Sequence, residues 1–165
     1  MGGLETQQLA IGFIDLVGST ALAQASTLAQ MGAVLSRFET ITFDSVTRRG
    51  ARLVKLIGDE VMFSTPQAEI ALAVAREVVD ALRSHADVPP VRAGLAFGDV
   101  MTRDGDCFGP VVNIAARAVK LAEPSQVVLS AEFRNALTDA SSLQSLGLRE
   151  VKGIDEPLEF WTLAG

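Results

Sequence analysis

Several kinds of function are excluded by what this chain has little of. It holds one cysteine, Cys107, so no internal disulfide can form. That suits a reducing compartment, and a cytoplasmic location is expected. It holds one histidine, His85. One His and one Cys cannot build a His/Cys metal site, so any metal must sit on oxygen ligands. A lone Cys or His without a partner is also a poor nucleophile, and both read as structural. Basic residues are in the minority: 14 Lys and Arg against 20 Asp and Glu leave a net charge of -6. An acidic balance argues against nucleic acid or an anionic membrane as the main partner. No apolar run is long enough to span a bilayer. The longest candidate, residues 70–82, is broken by Arg76, Glu77 and Asp80. The first residues, MGGLETQQ, carry neither a basic n-region nor an apolar h-region. No signal peptide is therefore expected, and any sensory or membrane region is expected outside this chain. Internal repeats, low-complexity tracts and linkers are also missing.

What is present suffices for one core. The 165 residues are 48% apolar, within the usual size of one domain, and residues 1–165 read as a single domain. Residues 9–16 form an apolar run interrupted at Asp15, read as a buried strand. Gly18-Ser19-Thr20 is a turn and helix start. Leu28, Met31, Leu35, Phe38 and Ile41 then keep a helical period, which Gly50 stops. Residues 53–57 and 61–64 are two short strands joined by a Gly58-Asp59 hairpin turn. Pro66 opens a second helix with Ile70, Val74, Val78 and Leu82 on one face. Residues 91–101 form a strand, 102–106 a polar turn, and a helix opens at Pro110. Strand 126–130, a short helix over 131–137, and a hairpin of strands 146–151 and 158–163 around Gly153 close the chain. This order predicts an α/β (α+β) fold: a ferredoxin-like βαββαβ sandwich with extra C-terminal strands.

Residues 106–117, DCFGPVVNIAAR, concentrate polar chemistry. Asn113 and Arg117 stand four apart and share one helix face. Val111, Ile114, Ala118 and Leu121 recur on the opposite side. An amide and a guanidinium together, with Asp106 upstream, suit a site that handles a phosphate ester; a solvated polar face is the plainer alternative. Asp15 at a strand end and Asp59 in a hairpin turn meet at one sheet edge if their strands are neighbours. Two carboxylates aimed at one point repel unless a cation lies between them. Mg²⁺ favours a few carboxylates plus substrate phosphates. Asp is also common at such positions for purely local reasons. The Gly-Ser-Thr after Asp15 offers backbone N–H groups to phosphate oxygens. Lys55 stands in the apolar strand LVKLI, sharing a face with Ile57 and opposite Leu56. Such a lysine either snorkels at an edge or reaches a partner.

These segments, in this order, resemble the class III nucleotidyl cyclase catalytic domain over almost the whole chain. FIDLVGST is similar to the family's first metal motif, and KLIGDEVM to the segment pairing a base-reading lysine with the second metal aspartate. VRAG resembles the strand with a phosphate-binding arginine. DCFGPVVNIAAR resembles the segment with the second base reader and the transition-state pair. The resemblance implies that Asp15 and Asp59, helped by the backbone carbonyl of Leu16, hold two divalent cations, Mg²⁺ or Mn²⁺. It implies that Lys55 and Asp106 read the purine, Asn113 orients the ribose, Arg117 stabilises charge on the reacting phosphate, and Arg92 and Lys152 hold the triphosphate. It also implies a head-to-tail homodimer with two shared sites. Asp15, Asp59 and Arg92 would come from one protomer; Lys55, Asp106, Asn113, Arg117 and Lys152 would come from the other.

The implied base is adenine, so ATP is the expected substrate and 3′,5′-cyclic AMP with pyrophosphate the expected products. Adenine has an acceptor at N1 and a donor at N6, matching Lys55 and Asp106. Guanine reverses both groups, and each mispaired buried polar group costs ~1–3 kcal/mol. The chain departs from the family at Gly94-Leu95-Ala96-Phe97-Gly98, where relatives often carry a His after the strand, and at Pro110, where an acidic residue is frequent. Two alternatives stay open: a catalytically silent nucleotide-binding regulatory module on this fold, and an unrelated ferredoxin-like interaction domain.

Overall fold

The computed structural model describes residues 3–163. Its elements are β1 (Glu5–Leu16), α1 (Ser19–Ala25), α2 (Leu28–Arg48), β2 (Arg52–Ile57), β3 (Glu60–Thr65), α3 (Ala68–Arg83), β4 (Val91–Arg103), β5 (Asp106–Phe108), α4 (Pro110–Leu121), β6 (Val127–Ser130), α5 (Ala131–Asn135), β7 (Leu143–Arg149) and β8 (Leu158–Leu163). They form one sheet in the order β2-β3-β1-β4-β6-β8-β7, with β5 paired to β4. The first four strands have the ferredoxin-like order. The rest extend the sheet beyond β4, beginning with the parallel β4–β6 pair.

β1 is buried on both faces from Leu9 onward, because helices cover both sides of the sheet. Alternation sends Ala10, Ile14 and Leu16 toward α2 and α3, and Leu9, Ile11 and Phe13 toward α4. The strand begins at Glu5, four residues before its apolar run. Glu5 to Gln8 are exposed, and what holds them is pairing with Asp99–Thr102 of β4, which hydrophobicity does not report.

Four other boundaries differ from expectation, each for a local reason. The helix expected from Gly18 to Gly50 is broken at Ser26, where the backbone is extended. Thr27 starts α2 afresh with a reciprocal capping box to Gln30. The 102–106 turn is tighter than expected. Only Asp104 and Gly105 take positive φ, 51° and 82°, so β4 continues to Arg103 and Asp106 lies on strand β5. In the closing hairpin, β7 spans 143–149 and not 146–151, its register shifted between Ser145 and Gly147. The second helix begins at Ala68, two residues after Pro66, since Gln67 remains extended.

The seat of α4 matters most for the site. A Cβ on Gly94 would lie 2.1 Å from the Val119 nitrogen and 2.7 Å from the Ala115 carbonyl oxygen. Glycine thus lets the helix rest directly on β4. The side of α4 that faces inward is Val111, Ala115, Ala118 and Val119, while Ile114 and Leu121 are only partly buried. That leaves Asn113, Arg117 and Lys120 exposed on the far side. Gly109, at φ 121°, makes the turn that admits Pro110 as the first helical residue.

Candidate functional site

The sheet edge carries a row of charges set by register. Asp15 stands opposite Glu60 on one side and opposite Arg92 on the other. The Asp15 side chain is only 8% exposed. Arg92 Nε donates to its Oδ1 at 2.8 Å and Nη2 to its Oδ2 at 3.4 Å. Arg92 Nη1 also donates to the Lys120 carbonyl at 3.4 Å. Asp59 sits in the turn before β3, and its carbonyl accepts from the Leu16 N–H at 3.4 Å. Burial pushes the Glu60 carboxyl up, and the charge of Asp15 pushes it further; Lys120 and Arg92 oppose this.

Three carboxylates therefore crowd one corner, relieved by one guanidinium and one ammonium. Hard oxygen donors under mutual repulsion fit a divalent cation. Among the described residues no three such side chains converge into a complete cage. Asp15 and Asp59 suit an ion whose remaining positions are filled by substrate phosphate and water.

A second group forms at the β2–β5 contact. Lys55 Nζ pairs with Asp106 Oδ2 at 3.1 Å across 51 residues of sequence. Asp106 Oδ1 accepts from the Cys107 N–H at 2.8 Å. That backbone bond, then Lys55, holds the Asp106 carboxyl below its usual range. Both side chains keep part of their surface open. The Cys107 thiol is buried and pushed up by that burial, which leaves it a packing group.

The third group lines a cleft of about 540 Å³ formed by Asn113, Ala116, Arg117, Lys120, Val151, Lys152 and Gly153. The expected residues Asn113, Arg117 and Lys152 meet here, Lys152 brought in by the turn between β7 and β8. Arg117, Lys120 and Lys152 place three cations on this wall with no acidic side chain among its lining residues. Such a wall concentrates anions. Asp15 and Asp59 do not line it, but Lys120 links the two regions: it stands on the cleft wall, its charge opposes the rise of Glu60, and its carbonyl accepts from Arg92.

Two members of this arrangement went unforeseen. Lys120 lies three residues after Arg117, a same-face spacing in a helix, so its signal was available. Glu60 follows Asp59 directly. Its place beside Asp15 emerges only from the β1–β3 register.

Comparison with known proteins identifies the class. Residues 4–165 match the family model for the adenylate and guanylate cyclase catalytic domain, and the chain belongs to that family. It is 43% identical over 148 residues to an uncharacterized protein of Mycobacterium tuberculosis, covering 90% of this chain and 39% of that protein. It is 39% identical over 131 residues to an adenylate cyclase of Streptomyces coelicolor, covering 79% of this chain and 34% of that one. The chain thus spans between about a third and two fifths of the length of these relatives. Among solved structures, an adenylate/guanylate cyclase/hydrolase from Silicibacter pomeroyi superposes with a TM-score of 0.88 at 27% identity, covering 99% of both chains. The catalytic core of a rhodopsin-guanylyl cyclase with converted specificity, in complex with ATPαS, also gives 0.88, at 22% identity and 98% of both chains. That second likeness is one of fold.

Proposed function

We propose that this domain is an adenylate cyclase, converting ATP to 3′,5′-cyclic AMP and pyrophosphate in a homodimer with shared sites. The Lys55–Asp106 pair carries the adenine assignment. A donor and an acceptor 3.1 Å apart match N1 and N6 of adenine and oppose N1 and O6 of guanine. Relatives named adenylate cyclase support the same choice.

The reaction is an in-line displacement at the α-phosphorus. The ribose 3′-oxygen forms the new P–O bond and loses its proton, while the bond to pyrophosphate breaks. Lys55 and Asp106 fix the base. Asn113 orients the ribose, so that the 3′-oxygen is held near its target. Arg117 presents planar, permanently charged donors to the phosphate oxygens as charge shifts onto the leaving group. Arg92 and Lys152 hold the triphosphate. Asp15, Asp59 and the Leu16 carbonyl would hold two divalent cations, Mg²⁺ or Mn²⁺, which neutralise triphosphate charge and acidify the hydroxyl when bound.

Sharing between copies is supported by one feature. Leu53, Leu56, Ile57, Met101 and Phe108 are 38%, 42%, 48%, 42% and 44% exposed around Lys55 and Asp106, an apolar rim suited to a second protomer. The test is direct: the purified domain is incubated with ATP and Mn²⁺ or Mg²⁺, with GTP in parallel, and products are separated by chromatography. Cyclic AMP from ATP and little cyclic GMP is expected. ATP binding without product would indicate a silent regulatory module.

A further inference from the structure

Arg52 opens β2 three residues before Lys55. In a regular strand residues three apart face opposite sides. Here the β2–β3 register shifts between Leu53 and Lys55, and the extra residue returns Arg52 and Lys55 to one face. Their cross-strand partners, Ser64 and Met62, are two apart on β3 and therefore face the same way. Both cations consequently reach the same short turn. Arg52 Nη2 donates to the Gly105 carbonyl at 2.6 Å, one residue before the carboxylate that Lys55 pairs with at 3.1 Å.

That turn needs a hold. Asp104 and Gly105 both have positive φ, and Asp104 does so with a side chain. β5 beyond it is three residues long. A purine inserted between Lys55 and Asp106 would replace their direct ion pair with contacts to the base, and the Arg52–Gly105 hydrogen bond would still tie β2 to the turn. Its guanidinium charge also holds the Asp106 carboxyl down, keeping it an acceptor. A Cβ on Gly105 would come within 3.2 Å of Nη2, so the guanidinium is packed onto the turn.

We infer that Arg52 is a positioning residue for base selection, fixing Asp106 for the exocyclic amino group through the bulge-directed Arg52–Gly105 hydrogen bond. The inference rests on the base-reading role proposed above for Lys55 and Asp106. It predicts an effect that appears in substrate discrimination more than in turnover, because Arg52 binds the turn before Asp106 and does not line the cleft of Asn113, Arg117 and Lys152.

The test measures KM and kcat for ATP, and Ki for GTP as a competitor, in the wild type and in R52M, R52K and D106A. Expected for R52M is a KM for ATP raised about 5–10-fold, the loss typical of one poorly placed hydrogen bond. Its Ki for GTP should change little and kcat should fall less than KM rises. R52K, which can still donate to a carbonyl, should recover part of the ATP affinity. An R52M chain whose ratio of KM(ATP) to Ki(GTP) stays at the wild-type value, while D106A loses discrimination, overturns the positioning role and leaves the base reading standing. Unchanged discrimination in D106A overturns the base reading and this inference with it. A fall in melting temperature with equal loss for both nucleotides marks Arg52 as structural only.

Discussion

Arg92 forks onto Asp15, Nε to Oδ1 at 2.8 Å and Nη2 to Oδ2 at 3.4 Å, because the β1–β4 register sets them directly opposite. The pair joins a carboxylate proposed to hold metal to a guanidinium proposed to hold triphosphate. Each neutralises the other in the ligand-free chain. At 8% exposure, Asp15 is too buried to be left alone without cost.

Removing the guanidinium should therefore show in stability first. Arg92→Met is expected to lower the unfolding free energy by ~2–4 kcal/mol, at and below the ~3–5 kcal/mol for stranding one partner of a fully buried pair, because Arg92 is 24% exposed. Mn²⁺ should then return more stability to this variant than to the wild type, since a cation can take the vacated position beside Asp15. Urea titrations with and without Mn²⁺ check both points. A variant that Mn²⁺ does not stabilise would remove Asp15 from the proposed metal site.

Asp15, Lys55, Asp59, Asp106, Asn113 and Arg117 were legible as candidates because each lies in a short segment whose neighbours fix its element. The helix spacing of Asn113 and Arg117 is read from four residues, and the strand carrying Lys55 from five. Arg52 was not legible. Its orientation depends on a bulge between two strands, and no property of β2 alone sets that register. Glu60 is hidden for the same reason. The four polar residues that begin β1 lack any apolar signal, and their strand state comes wholly from β4. The Thr27–Gln30 capping box was readable and marks the helix break that periodicity ran through.

The base pair offers a second prediction. Lys55→Glu with Asp106→Ser reverses the donor and acceptor pattern, and the serine hydroxyl can still accept from the Cys107 N–H. ATP use should fall by about 10²-fold, two mispaired groups at ~1–3 kcal/mol each, while GTP becomes a substrate. Steady-state rates with each nucleotide give the answer. Unaltered ATP turnover would end the base-reading assignment.

Gly94 links packing to chemistry. Because an added Cβ would stand 2.1 Å from the backbone nitrogen of Val119, Gly94→Ala must push α4 away from β4. A loss of ~3 kcal/mol is expected from overpacking against backbone. Asn113 and Arg117 move with the helix, so cyclic AMP formation should fall about 10²-fold, as misplacement by 1 Å can do. Circular dichroism should remain that of a folded α+β protein. Full activity in a folded Gly94→Ala chain would contradict the rigid seating of α4.

Away from the site, Glu77 on α3 binds the end of α2. Its Oε2 accepts from Arg49 Nη2 at 2.6 Å and its Oε1 from Arg48. These bonds, Arg48 foremost, hold its carboxyl at about 2 against an ordinary 4.5. A depressed pKa means the contribution is complete above about pH 4.5 and lost as pH falls through about 2. Solvent screens the pair, with Glu77 27% and Arg48 52% exposed, so Glu77→Gln should cost no more than ~1 kcal/mol at pH 7. Urea midpoints of the two proteins should converge as the pH drops from 4.5 toward 2. A gap that stays constant over that interval would exclude a titrating Glu77 as its source.

The proposed sharing of sites makes the most demanding prediction. Asp59 belongs to the acidic corner and Arg117 to the basic cleft, and the cleft lining includes neither Asp15 nor Asp59. If each site combines the corner of one protomer with the cleft of another, Asp59→Ala and Arg117→Ala chains are each inactive as homodimers. A heterodimer of the two places both lesions in one site and leaves the other intact. With random pairing of equal amounts, half the dimers are heterodimers with one working site each, so activity should return to about a quarter of the wild-type rate. Cyclic AMP assays on mixed and co-expressed chains, with heterodimers verified by two affinity tags, measure this. Inactive heterodimers would show that corner and cleft serve the same site within one chain, and the exposed rim around Lys55 and Asp106 would then need a different occupant.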